Sequence, residues 1–158
     1  MRLTGLTVAA VLVASAAFAN VVAPDDVAFG EYGEVEASLT GSAGDVDKGR
    51  QIFSEKSMGN CVSCHAVAAL PDVPFQGEVG PVLDGIGEYR TPEELRGILV
   101  NAKKTFDGTV MPAFYKTSGF IRPGDDYTGK AAPDPIQPIL SAQDVEDVVA
   151  FLMTLKDN

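Results

Sequence analysis

Five consecutive residues, Cys61-Val62-Ser63-Cys64-His65, constrain this chain more than any other stretch. They hold both of its cysteines and its only histidine. Two cysteines three positions apart admit a disulfide, a redox dithiol, part of a zinc site or the attachment of a haem. A redox dithiol of this spacing expects a βαβ setting, and no period-2 strand run is visible. A tetrahedral zinc site needs about four nitrogen or sulfur ligands, and only Cys61, Cys64 and His65 are on offer. The histidine that follows the second cysteine completes C-x-x-C-H, the attachment signature of c-type haem. Each thiol adds to one haem vinyl group, and His65 is placed to ligate the iron from the proximal side.

A single histidine also limits the other axial position, because a second histidine ligand is impossible from this chain. Methionine is the usual alternative and raises the reduction potential. Three methionines follow the leader: Met58, Met111 and Met153. Met58 lies three residues before Cys61, on the attachment side. Met153 falls in the last predicted helix, where filling the core is the default use of methionine. Met111 sits in Gly108-Thr109-Val110-Met111-Pro112, 46 residues after His65. Pro112 holds the backbone of Met111 extended, which suits a side chain presented to a ligand. Met111 is therefore the expected second axial ligand. The alternatives are a buried loop methionine, with lysine or an open position at the iron.

The first residues do not read as part of the fold. Arg2 precedes an apolar run from Leu3 to Phe18 that closes on Ala17-Phe18-Ala19, an A-x-A cleavage pattern. A spanning helix needs about 20 apolar residues, so a cleaved signal peptide over 1–19 is expected, with no membrane anchor and a periplasmic location. The remaining 139 residues (158 minus 19) are of one-domain size. They carry 11 Lys and Arg against 22 Asp and Glu, a formal charge of −11. That balance argues against nucleic acid and anionic membrane surfaces. The sign is uneven. From Asn20 to Asp47 there are seven acids and no base, while seven bases fall between Arg90 and Lys130. Such asymmetry can orient a partner.

Residues 20–44 are acidic, Gly-rich and without apolar periodicity, and read as an N-terminal arm, either loose or laid along a partner. The domain follows over 45–158. A first helix is predicted from Val46 to Lys56, capped by Asp45 or Asp47, with Gly49, Ile52 and Phe53 on one face. Glycine inside a helix costs about 1 kcal/mol against alanine, so Gly49 suggests close approach of another helix. Thr91-Pro92-Glu93-Glu94 is a capping box with proline at the first helical position, and Leu95, Ile98 and Leu99 give the buried stripe. Ser141-Ala142-Gln143-Asp144 starts the last helix, with Val145, Val148, Val149, Leu152 and Leu155 on its apolar face. Between these helices the chain is mostly loop. Leu70–Gly87 holds three prolines and four glycines, and Thr117–Leu140 holds four prolines and three glycines. Loops this long are uncommon in a compact domain unless they are functional. Few helices make a poor core for a domain of this size, and a haem would fill it.

The chain resembles class I cytochromes c over about Val46 to Lys156. That likeness implies an all-α, class I cytochrome c-like domain with long loops. Gly49 and Phe53, with Phe151 and Leu152, resemble the family's crossing of terminal helices. Gly80-Pro81-Val82-Leu83 resembles the segment whose proline carbonyl accepts the proximal histidine's ring N–H, with Leu83 packing on the haem. A narrower resemblance, to the SoxX family, rests on four phrases: Cys61 to His65, Gly80-Pro81-Val82-Leu83-Asp84-Gly85-Ile86-Gly87, Met111-Pro112-Ala113-Phe114-Tyr115 and Val145 to Lys156. SoxX proteins are small monohaem subunits of the periplasmic SoxAX cytochrome. The resemblance implies a heterodimer with SoxA and transient contact with SoxYZ. The complex is an L-cysteine S-thiosulfotransferase that joins thiosulfate to a SoxYZ cysteine. The conjugating site belongs to SoxA, and the role the resemblance implies for this chain is to accept electrons and pass them to a soluble cytochrome c. No catalytic residue is expected here, because both cysteines and the histidine are committed and no nucleophile–base pair remains. Two other classes stand beside it: a free periplasmic electron-transfer cytochrome c, and a haem sensor, which requires an open sixth position.

Overall fold

The computed structural model describes residues 21–125 and 127–157. The expected leader, residues 1–19, lies outside them. Four α-helices carry the domain: α1 (Val46–Ser54), α2 (Ile86–Tyr89), α3 (Pro92–Asn101) and α4 (Ala142–Leu152). There is no β-strand among the described residues, only an isolated bridge between Gly124 and Ala131. The fold is all-α, and no helix among the described residues is long and apolar enough to cross a membrane.

Local chemistry sets the helix starts. Asp45 accepts the Lys48 N–H at 2.9 Å and caps α1, satisfying one of the amides a helix start leaves without a partner. The helix stops at Ser54, two residues short of the predicted end, where Glu55 turns to extended backbone. At α3 the Glu94 N–H donates to Thr91 Oγ1 (3.3 Å), and the Thr91 N–H donates back to the Glu94 carboxylate (2.9 Å). Ser141 and Asp144 repeat this reciprocal cap at α4, at 3.1 and 2.9 Å. The one-turn α2 follows Gly85, whose φ is +72°. A single turn leaves no apolar period to read, and the sequence did not predict it.

Helices α1 and α4 cross at Gly49. A Cβ there would sit 1.9 Å from the Asp147 carbonyl oxygen, so only glycine lets the two backbones approach this closely. Beside the crossing, the Phe53 and Phe151 rings meet edge-on, with centroids 5.5 Å apart. Ile52 and Phe53 of α1, Leu95 and Leu99 of α3, and Val145 and Val148 of α4 share one buried cluster. Each such burial contributes roughly 1.5–3 kcal/mol.

Residues 21–44 have no apolar period, yet they close over α3 and α4. Val35 and Leu39 are fully buried. Buried Glu146 of α4 accepts the Leu39 N–H (2.7 Å) and the Ser38 hydroxyl (3.1 Å). It also receives a two-pronged ion pair from buried Arg96 of α3, Nε at 2.9 Å and Nη2 at 3.1 Å. The remaining Arg96 prong donates to the Val35 carbonyl at 2.7 Å. These two side chains hold the Leu39 N–H and the Val35 carbonyl, and the Val35 N–H donates to the Glu93 carbonyl of α3 at 3.0 Å.

Candidate functional site

Asn60, in the left-handed region at φ +51°, leads into a single 3₁₀ turn over Cys61–Ser63. The Cys64 and His65 amides both donate to the Cys61 carbonyl, at 3.1 and 2.9 Å. The two thiols and the imidazole therefore belong to one tightly wound turn. A second segment runs beside it: the Gly77 N–H donates to the Val62 carbonyl (2.8 Å), Gly80 to Cys64 (2.7 Å) and Leu83 to Ala66 (3.0 Å). This pairing bridges the distance in sequence from His65 to Pro81.

His65 Nδ1 lies 2.8 Å from the Pro81 carbonyl oxygen. A carbonyl only accepts, so Nδ1 carries a proton, and in the neutral tautomer that this selects the lone pair is on Nε2. That tautomer suits a metal ligand, and the bond to Pro81 fixes the ring and strengthens it as a donor. Gly80 makes the contact possible. A Cβ at this position would fall 2.3 Å from His65 Cε1 and 2.6 Å from Nδ1. In the sequence Gly80 carries no signal of its own beside Pro81. Its task is to let the imidazole lie against the backbone.

Cys61 is buried and Cys64 half-buried, and neither forms a disulfide. Burial pushes the Cys61 thiol up to about 12, so it is a neutral thiol at physiological pH. A thiolate, the form needed for nucleophilic attack or for zinc, is strongly disfavoured in this setting. A thioether carries no charge and meets no such penalty. Two sulfurs on one turn and an imidazole oriented beside them therefore fit covalent attachment of a haem.

Leu83 is half-buried against the core cluster, as is Met111. Met111 stands on a loop whose far end is tied to α3, where the Phe114 N–H donates to the Leu99 carbonyl (3.1 Å) and Tyr115 to Val100 (3.3 Å). Met58 and Met153 are also half-buried against the core. Met58 sits in the turn before the motif, its N–H donating to the Glu55 carbonyl at 3.1 Å, and Met153 closes α4, donating to Val149 at 3.0 Å. The structure thus joins Cys61, Cys64, His65, Pro81 and Leu83 by direct pairing, and sets Met111 on a separate loop against the same core.

A helical domain with this turn and this histidine anchor is a cytochrome c domain, and the family model for cytochrome c matches residues 46–156. The chain belongs to the cytochrome c family, which carries covalent haem c. It is similar to a chain in the crystal structure of SoxXA from P. pantotrophus. The two are 56% identical, with a TM-score of 0.81, and the match covers 85% of this chain and 98% of that one. No curated protein sequence matches it.

Proposed function

We propose that this chain is the electron-accepting monohaem subunit of a periplasmic SoxXA-type complex. The observation that carries the reading is the 56% identity to the SoxXA chain over nearly that chain's whole length. One haem c is held by thioethers to Cys61 and Cys64. His65 Nε2 and the Met111 thioether would ligate its iron, and Leu83 would pack on it. When bound, the haem supplies a one-electron redox centre. The Pro81 carbonyl keeps the His65 proton on Nδ1 and so keeps Nε2 available. Residues 1–19 are a cleaved leader, 20–44 an arm and 45–158 the cytochrome domain.

The conjugation itself takes place on a SoxA-type partner. A cysteine thiolate of a SoxYZ carrier and thiosulfate form a sulfur–sulfur bond and release two electrons. These leave one at a time through this subunit to a soluble cytochrome c. With both attachment cysteines and the histidine committed, this chain has no nucleophile–base pair of its own for the bond-forming step.

The test is co-expression with a SoxA-type partner, followed by addition of thiosulfate and carrier. A stable heterodimer whose haem spectrum becomes reduced only when all components are present supports the reading. A stable monomer that ignores the partner, and whose haem stays oxidised, overturns it in favour of a free carrier.

A further inference from the structure

We propose that Lys103 and Thr109 are positioning residues that hold the Met111 backbone in place. This deepens the reading of Met111 as an axial ligand and rests on it. Lys103 lies in the 3₁₀ turn Ala102–Lys104 that extends α3. Its ammonium donates to the Met111 carbonyl at 2.6 Å. The Met111 N–H donates to Thr109 Oγ1 at 3.2 Å. Both polar groups of the Met111 backbone are thereby held by side chains, one from the end of α3 and one from its own loop.

The loop's construction makes these bonds consequential. After α3, the Thr105 and Phe106 amides both donate to the Ala102 carbonyl, at 3.1 and 2.8 Å. The Asn101 side chain accepts the Lys103 N–H at 3.3 Å, so the base of Lys103 is fixed to the end of the helix. The chain reverses at Gly108, with φ +71° and nothing within 4 Å of a Cβ built there. Pro112 has no N–H to donate. Among the described residues, the next backbone anchor downstream is Phe114, bound to Leu99 at 3.1 Å. Between the 3₁₀ turn and Phe114, Met111 is held at residue 111 itself. Pro112 restricts Met111 to extended backbone, and Lys103 and Thr109 select its place within that range. A thioether is a weak, neutral donor, so its occupancy of a metal position depends on pre-organisation of this kind.

The test uses the ferric holoprotein and imidazole, a small competitor for the position held by Met111. Competitor affinity rises with the fraction of molecules in which Met111 has moved away. A hydrogen bond from a charged donor at an exposed site supports an effect of about fivefold. Lys103→Met keeps the length of the stem and removes the donor. Thr109→Val keeps the shape and removes the acceptor. Each is expected to bind imidazole about fivefold more tightly than wild type, with the urea midpoint followed by circular dichroism unchanged. Lys103→Arg restores the donor and the wild-type affinity. Unchanged imidazole affinity in both variants overturns the proposal, provided wild type shows a long-wavelength sulfur–iron charge-transfer band that Met111→Ala abolishes. So does a gain in affinity matched by loss of global stability, because that marks a merely structural role. If Met111→Ala leaves the spectrum unaltered, the axial assignment itself fails and the positioning role falls with it.

Discussion

Replacing Arg96 with methionine removes the cation from the most buried ion pair in the domain. Arg96 and Glu146 side chains are 8% and 6% exposed and meet at 2.9 Å. Methionine matches the stem of arginine in bulk, so little of the effect comes from a cavity. What remains is the Glu146 carboxylate, still holding the Leu39 N–H and the Ser38 hydroxyl but with no countercharge. The Val35 carbonyl also loses the Arg96 prong it accepted. Breaking a buried pair from one side costs about 3–5 kcal/mol. For a domain of this size that corresponds to a fall in Tm of roughly 10–15 °C. Thermal unfolding of the haem-loaded protein, followed by circular dichroism, reads it directly. The double variant Arg96→Met with Glu146→Gln removes the stranded charge, keeps an oxygen to accept the Leu39 N–H, and recovers part of the loss. A single-variant loss under about 1 kcal/mol, the range of exposed pairs, would refute the reasoning. It would mean that water reaches the pair or that residues 21–44 yield to release it.

Three further outcomes follow from the geometry. Gly49→Ala places a methyl group 1.9 Å from the Asp147 carbonyl oxygen and should cost about 1–3 kcal/mol by forcing α1 from α4; an unchanged urea midpoint counts against the crossing. Gly80→Ala drives a Cβ to 2.3 Å from His65 Cε1, so the ring must leave Pro81, and the weakened donor raises the reduction potential in a redox titration. A potential equal to wild type shows that the Pro81 bond does not tune the haem. The Glu94 carboxyl is held below its ordinary value, first by the Thr91 backbone N–H and then by Arg90. A lowered folded-state pKa gives stability that is present above the unfolded value, about 4.3, and lost as pH falls through the folded value. Glu94→Gln should therefore be less stable than wild type at neutral pH and should close that gap in acid, measured as Tm against pH; a gap independent of pH contradicts the assignment.

What could be read from the sequence is what neighbouring residues decide among themselves. Cys61, Cys64 and His65 announce attachment because the chemistry lies within five residues. Thr91 with Glu94 and Ser141 with Asp144 announce helix starts because a cap reaches only three residues ahead. Gly49 was legible as a conflict between helix propensity and position, and the Asp147 carbonyl explains it. The Pro81 carbonyl follows only from family likeness across a gap of 16 residues, and the run of amides from Gly77 to Leu83 closes it. No local signal marks that run. Arg96 looked like any surface base on an amphipathic helix, because its partner Glu146 is 50 residues away.

Residues 21–44 are the part least visible from the sequence, and their structure changes how a docking role for them has to be tested. Their burial rests on Val35 and Leu39, each contributing roughly 1.5–3 kcal/mol, and on backbone bonds to Glu146 and Arg96 made more than 60 residues along the chain. Tyr115 adds a bond from its hydroxyl to the Val22 carbonyl at 2.7 Å. Deleting the arm therefore uncovers the core and exposes the Arg96–Glu146 pair, so a truncated protein that fails to bind a partner has lost stability before it has lost a surface. The exposed acids Asp25, Asp26, Glu31 and Glu36 separate the two effects. Neutralising all four leaves the buried contacts untouched, so Tm should move little, while association with a basic partner face slows and loses part of its dependence on salt. Association that keeps the wild-type rate and salt dependence after neutralisation would assign the arm to folding alone.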